Sequence, residues 1–225
     1  MTELDLQQLG LRELNKTLQS AASNSGTYSV LNPMGAHAIA CGLQQDIHVD
    51  INGHAGFYCA GMNKHASVKV HGHAGVGLAE NMMSGTVHIT GNASQSAGAT
   101  AHGGLLVIEG DASSRCGISM KGIDIVVGGS VGHMSGFMAQ AGNLIVCGDA
   151  GDALGDSIYE ASIYVKGNVE GLGSDCIEKP MRDEHIALVT RLLQQAGIKE
   201  EAHQFKRFGS ERKLYHFQPD NAGAY

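Results

Sequence analysis

Histidine, cysteine and aspartate are the residues whose spacing invites chemistry in this chain. His54 and His73 stand nineteen positions apart with His71 close by, and Cys59 and Cys116 are separated by three times that interval. Asp111 and Asp149 lie twice that interval apart, with Ser130 midway. If the chain stacks on itself at this interval, the two imidazoles fall on neighbouring rungs about 4.8 Å apart. They could then share a metal ion, or they could be two members of a ladder of solvated turn residues. The cysteines would be three rungs, roughly 14 Å, apart, too far for a disulfide or for shared cluster ligation. Cys41, Cys59, Cys116, Cys147 and Cys176 contain no CxxC pair and read as small residues filling a narrow interior. The serine between the aspartates breaks up the clustered carboxylates that glycan chemistry requires. There is no GxSxG, Walker loop or dinucleotide fingerprint, and GVG at Gly75–Gly77 and GLG at Gly171–Gly173 read as turns. These patterns assign no catalytic, cofactor-binding or metal-binding residue.

Whatever positions these side chains is periodic. From Val49 to Glu170 one phrase returns as VDINGHAG, VKVHGHAG, VHITGNAS, LVIEGDAS, IVVGGSVG, LIVCGDAG and IYVKGNVE. Its closing turn glycines, Gly53, Gly72, Gly91, Gly110, Gly129, Gly148 and Gly167, recur at the same interval of nineteen without an insertion. A fixed period of this length marks a repeat architecture. A hexapeptide solenoid needs a period near 18, and the calcium-binding Gly-Gly-x-Gly-x-Asp motif is absent. The usual hand of parallel crossovers then predicts an all-β fold, a right-handed parallel β-helix of 19-residue coils with about seven regular rungs.

The columns of this repeat say which side chains face inward. Val49, Val68, Val87, Leu106, Ile125, Leu144 and Ile163 form one apolar column. Two residues on, Ile51, Val70, Ile89, Ile108, Val127, Val146 and Val165 form another, so both face the interior. A third column, Ala60, Ala79, Gly98, Gly117, Gly136 and Gly155, marks a sharp turn or a close approach of two walls. After each closing glycine comes His54, His73, Asn92, Asp111, Ser130, Asp149 or Asn168, all turn formers. The column between the two buried ones faces outward and changes character, from Asp50, Lys69 and His88 to Val107, Val126, Ile145 and Tyr164. An apolar stripe on a sheet needs a cover, either one of the chain's own helices or a partner subunit.

Three regions result. Residues 1–26 form a helical extension with Leu11, Leu14 and Leu18 at helical spacing, closed by the turn formers Ser23–Gly26. Residues 27–178 form the β-helix, regular over about 47–170, with Tyr28 and Val30 standing one period before Ile47 and Val49 in an irregular first rung containing Pro33. Residues 179–225 hold a helix from about Arg182 to Ala196 with Ile186, Val189 and Leu193 on one face and Gly197 as its stop. The basic and aromatic tail that follows offers Phe205, Phe208, Tyr215 and Phe217 as anchors on this solenoid or on another chain, and these join the apolar stripe as candidate interface residues. The terminal helices are expected to protect the open ends of the solenoid.

With 22 acidic against 15 basic residues the formal charge is −7, which argues against nucleic acid or an anionic membrane as a partner. No apolar run approaches the ~20 residues of a membrane span, and MTELDLQQLG lacks the regions of a signal peptide, so the expected location is cytoplasmic. Right-handed β-helices include polysaccharide lyases, but aromatic residues make up only 5% of the chain and the unbroken period leaves no long loop to shape a cleft.

The VxVxGxAG phrase resembles the glycine-rich β-helix domain that ends the large subunit of glutamate synthase. The flanking segments VLNPMGAHAIACGL and FKRFGSERKLYHF resemble the separately encoded third-domain protein of N-methylglutamate synthase, a likeness that covers nearly the whole chain. The glycine period alone is less specific, since a scaffold subunit of formylmethanofuran dehydrogenase carries a similar one. The resemblance implies a hetero-oligomer in which this chain is a non-catalytic scaffold. Its partners would be a glutamine-amidotransferase-like subunit with an N-terminal cysteine nucleophile and a barrel subunit carrying FMN and an iron–sulfur cluster. The complex would make N-methylglutamate from glutamate and methylamine and release ammonia. Met1-Thr2 and the lack of CxxC agree with the nucleophile and the cluster residing on those partners.

Overall fold

A computed structural model describes residues 1–23 and 26–214. Among the described residues one sheet of eleven strands forms. Strands β1 (Thr2–Asp5), β2 (Thr27–Leu31), β3 (His48–Ile51), β4 (Ser67–Val70), β5 (Thr86–Ile89), β6 (Leu105–Ile108), β7 (Lys121–Val127), β8 (Ala141–Val146) and β9 (Ser162–Val165) follow in chain order and pair in parallel. At the far end, β11 (Lys206–Ser210) inserts between β9 and β10 (Cys176–Lys179), antiparallel to both. The parallel β-solenoid of 19-residue coils is the expected one. Its register places Val49 beside Val68 and Ile51 beside Val70, and so on to Ile163 and Val165. No residue of either inner column is more than 1% exposed. Each such side chain contributes about 1.5–3 kcal/mol of burial, which fixes the register because a one-residue slip would turn both columns to water.

The wall facing the sheet has no strands. Positions five, seven and nine after a closing glycine are left-handed, with φ of 58°, 52° and 56° at Tyr58, Ala60 and Met62, and 60°, 69° and 55° at Ser96, Gly98 and Thr100. From the coil of Gly53 to that of Gly129 the outer two of each triplet donate forward, for example Tyr58 N–H to Val76 O at 2.8 Å and Met62 N–H to Glu80 O at 2.7 Å. The middle one donates backward, Ala60 N–H to Ile39 O at 3.0 Å. Adjacent coils are thus laced from both sides although no β-ladder forms there. The small-residue column is this middle position. A Cβ on Gly98 would stand 2.6 Å from Ile125 Cδ1, and one on Gly136 2.6 Å from Ile163 Cδ1. Alanine is kept where the facing column holds valine, and glycine replaces it where Leu106, Ile125 and Ile163 fill the space.

The N-terminal helix closes one end of the solenoid, whereas the C-terminal helix, expected over the other end, lies instead on the outer face of the sheet. Helix α1 (Leu6–Gln19) starts at Asp5, whose side chain accepts the N–H of Gln7 at 2.9 Å, and kinks at Gly10, where φ is 72°. Leu14 and Leu18 are fully buried against the solenoid core. Asn15 fastens the helix by donating to Ala38 O at 2.8 Å and accepting from Ala40 N at 2.9 Å. Residues 1–26 are not purely helical, because Thr2–Asp5 adds a strand ahead of the helix and pairs Leu4 with Val30. The first coil is longer than the rest. Tyr28 pairs with Val49 and Val30 with Ile51, an offset two positions greater than between later coils. One of the two extra residues lies around Pro33, between the left-handed Asn32 and Met34, where the proline can donate no ladder bond, and the other lies between Leu43 and Ile47.

Helix α2 (Asp183–Ala196) ends at Gly197, which adopts φ 72° as its left-handed cap. Its buried face, Val189, Leu192, Leu193 and Ala196, packs with Phe205 on Val107, Val126, Ile145 and Tyr164. These four stripe residues are 0–1% exposed, so the stripe offered above as a candidate partner interface is covered by the chain's own helix. Two of the tail aromatics are also internal. Phe205 seals α2, and Phe208 pairs with Ile163 and enters the main core, each 3% exposed. Tyr215 and Phe217 lie outside the described residues.

Candidate functional site

The column after the closing glycines is a continuous side-chain ladder. His54 Nδ1 accepts the backbone N–H of His73 at 3.0 Å, and His73 Nδ1 that of Asn92 at 2.8 Å. Asn92 Oδ1, Asp111 Oδ1, Ser130 Oγ and Asp149 Oδ1 then accept from Asp111, Ser130, Asp149 and Asn168 at 3.0, 2.7, 3.0 and 2.7 Å. The expected local turn bonds are replaced by bonds between coils. Sequence reasoning missed this because four residue types share one task, presenting an acceptor to the coil above. The closing glycines exist for this ladder. A Cβ on Gly72 would stand 2.7 Å from His54 Nδ1 and 2.9 Å from Gly53 O, so the requirement at this position is close approach.

The ladder also takes up both histidines. The rings of His54 and His73 stack with centroids 4.9 Å apart, and each spends its Nδ1 on a backbone N–H. The neutral tautomer that this requires carries its proton on Nε2. His71 does not join them but pairs with Asp50 at 2.9 Å. Among the described residues no three His, Cys, Asp or Glu side chains converge as metal ligands.

The thiols are poorly placed for nucleophilic work. All five are free cysteines. Burial pushes Cys59 and Cys116 up to about 12, and Cys176 reaches about 12 through burial together with Asp175 and Asp156. Cys147 rises to about 11 through burial and Glu200. Burial also raises the half-buried Cys41. At neutral pH these groups stay protonated, which suits a filler and not a nucleophile.

Asp175 organises the end of the solenoid. It accepts the Ser210 hydroxyl at 2.6 Å and the N–H groups of Lys213 and Leu214 at 2.8 and 3.2 Å. Burial acts to raise its carboxyl, but these hydrogen bonds outweigh it and hold the group below the ordinary carboxylate range. Arg212 adds an ion pair to Glu160 at 2.6 Å.

Exposed apolar side chains gather on the first coils instead of on the expected stripe. Met34, Phe57, Tyr58 and Met62 are 78, 45, 49 and 54% exposed, and the Phe57 ring stacks on His37 at 4.4 Å. A cleft of about 460 Å³ opens beside Met34, between the first coil and the turn at Gly53 and His54. Among the described residues no helix is long and apolar enough to cross a membrane.

No family model matches the sequence. A curated relative, Protein GlxC of Rhizobium meliloti (strain 1021), is 58% identical over 228 residues, an alignment that takes in 100% of both chains. This chain belongs to the GlxC family.

Proposed function

We propose that this chain is a non-catalytic scaffold subunit of a glutamate-synthase-like enzyme, N-methylglutamate synthase, in which it positions an amidotransferase-like subunit against a flavin and iron–sulfur subunit. The observation that carries the reading is the uninterrupted period. The closing glycines recur at one fixed interval from Gly53 to Gly167, so no inserted loop builds a reaction cleft. What remains is a stiff body, roughly 29 Å from first rung to seventh in six steps of about 4.8 Å, with surfaces to offer. Holding two sites at a fixed separation preserves the advantage of transfer between them. The likeness to Protein GlxC over the whole of both chains supports a dedicated solenoid subunit, and the protonated thiols leave cluster and nucleophile chemistry to partners.

The test is reconstitution from separately purified subunits. The expected result is a ternary complex by size-exclusion chromatography that forms N-methylglutamate from glutamate and methylamine at least tenfold faster with this chain than without it. Equal turnover when the chain is omitted would overturn the scaffold role. Turnover with ammonia but not methylamine would keep the scaffold and reject the N-methylglutamate assignment.

A further inference from the structure

The side-chain ladder has an unfilled first position. From His73 to Asn168, each backbone N–H of the column is bonded to a side chain one coil earlier. Among the described residues, nothing accepts the N–H of His54. The preceding coil carries Pro33 and Met34 at this level, and a Cβ on Gly53 would meet Pro33 Cγ at 3.0 Å where the later glycines meet a ladder acceptor. Neither a pyrrolidine ring nor an exposed thioether replaces Asn or Asp as an acceptor.

The cleft of about 460 Å³ lies beside this N–H, lined by Asn32, Pro33, Met34, Gly35, Asn52 and His54 among others. Its polar groups specify an occupant. Asn52 spends both hydrogens of its Nδ2, on Ser29 Oγ at 2.9 Å and Val30 O at 3.4 Å, and Asn32 directs one of its two to Asp5 Oδ2 at 3.2 Å. Both amides therefore keep their Oδ1 atoms for a donor, whereas the His54 N–H calls for an acceptor. A primary carboxamide supplies both from one group. A carboxylate supplies only acceptors and would face the Asp5 charge behind Asn32. The rim favours a macromolecule over a small solute, because Met34 is 78% exposed beside the cleft and the His37–Phe57 stack stands on the same coils.

We propose that this cleft receives an Asn or Gln side chain from a loop of a partner subunit, whose carboxamide completes the ladder at His54. The assignment rests on the scaffold reading and names its docking point. The experiment measures hydrogen exchange by mass spectrometry on the full chain, alone and with each purified partner subunit, over peptides containing residues 52–55. The expected result is at least tenfold slower exchange there in one of the two complexes. Met34→Glu, at a surface position that leaves the fold intact by thermal melting, should weaken that complex at least tenfold, while His73→Asn within the ladder should leave it unchanged. A complex that forms with unchanged exchange at residues 52–55, or that tolerates Met34→Glu, overturns this assignment alone. Binding to neither subunit overturns it together with the scaffold reading. Equal protection by free glutamine without any partner overturns the partner loop as the occupant.

Discussion

A Cβ placed on Gly91 would stand 2.5 Å from Nδ1 of His73, the atom that accepts the N–H of Asn92 at 2.8 Å. Gly148 stands in the same relation to Ser130 Oγ, at 2.5 Å. The closing glycine leaves room for the side chain of the coil below to reach past it. Gly91→Ala should therefore cost about 2–4 kcal/mol in urea unfolding, since a rigid backbone carbonyl, Gly72 O at 2.8 Å, blocks relief on the other side. Asn92→Ala should cost only about 1 kcal/mol, because the N–H it abandons is at the surface and water can take its place. The reverse order would show that the ladder, not the close approach, dominates.

The facing walls are matched in volume. Gly98→Ala forces a methyl group against Ile125 Cδ1 and also strains a residue at φ 69°. The expected loss is about 2–3 kcal/mol, of which only the contact part is relieved by Ile125→Val. A double-mutant cycle should give a favourable coupling of about 1 kcal/mol. Strict additivity would show that backbone strain accounts for the whole effect.

Burial of the apolar stripe beneath α2 changes what a charge placed there does. Ile145→Asp puts a carboxylate under Val189 and Leu193 and should release the helix, with new protease cleavage between residues 183 and 198 and a loss on the order of 3 kcal/mol. Leu193→Asp should reproduce the cleavage pattern from the other side of the contact. Lys69→Ala, on the uncovered polar part of the same column, should stay within about 0.5 kcal/mol.

Acid should loosen the C-terminal end first. The Asp175 carboxyl is held below its ordinary value in the folded chain, so its contribution is complete above that ordinary value and fades as pH falls through the depressed one. Hydrogen exchange over residues 207–214 should therefore rise in that acidic window while the inner columns stay protected. Asp175→Asn should remove the pH dependence and leave this segment loosened at neutral pH.

Thiol accessibility can be counted directly. With Cys59, Cys116 and Cys176 pushed up to about 12 and Cys147 to about 11, only the half-buried Cys41 should react with an aromatic disulfide reagent at pH 8 in the native protein. All five should react after unfolding. Rapid native labelling of Cys59 would contradict its place in the interior.

What could be read from the sequence follows from range. The inner columns and the stop of α2 at Gly197 are local patterns of volume and conformation, and Val49, Ile51 and their successors lie where periodicity places them. Strand β11 could not be read this way, because its residues Lys206–Ser210 show no alternation of their own and owe their strand to pairing with Tyr164 and Ile177 far along the chain. Thr2–Asp5 is an acidic tetrapeptide whose single inward residue, Leu4, carries almost no pattern. The longer first coil escaped because apolar residues at Ile47 and Val49 satisfy the regular spacing as well as the true partners Val49 and Ile51 do the longer one. The unfilled position at His54 is visible only once the six bonds above it are known.

A stack of identical coils with two open ends would be the repeating unit of a fibre, each copy adding its first strand to the last strand of the copy before it. Here one cross-section is plugged by Leu14 and Leu18, and the other is stepped, since β11 and β10 carry the sheet beyond the coils while the chain leaves for α2. Neither end presents the full outline of a coil to a second molecule. The chain thereby sets its own length, and concentration alone should not drive it to polymerise.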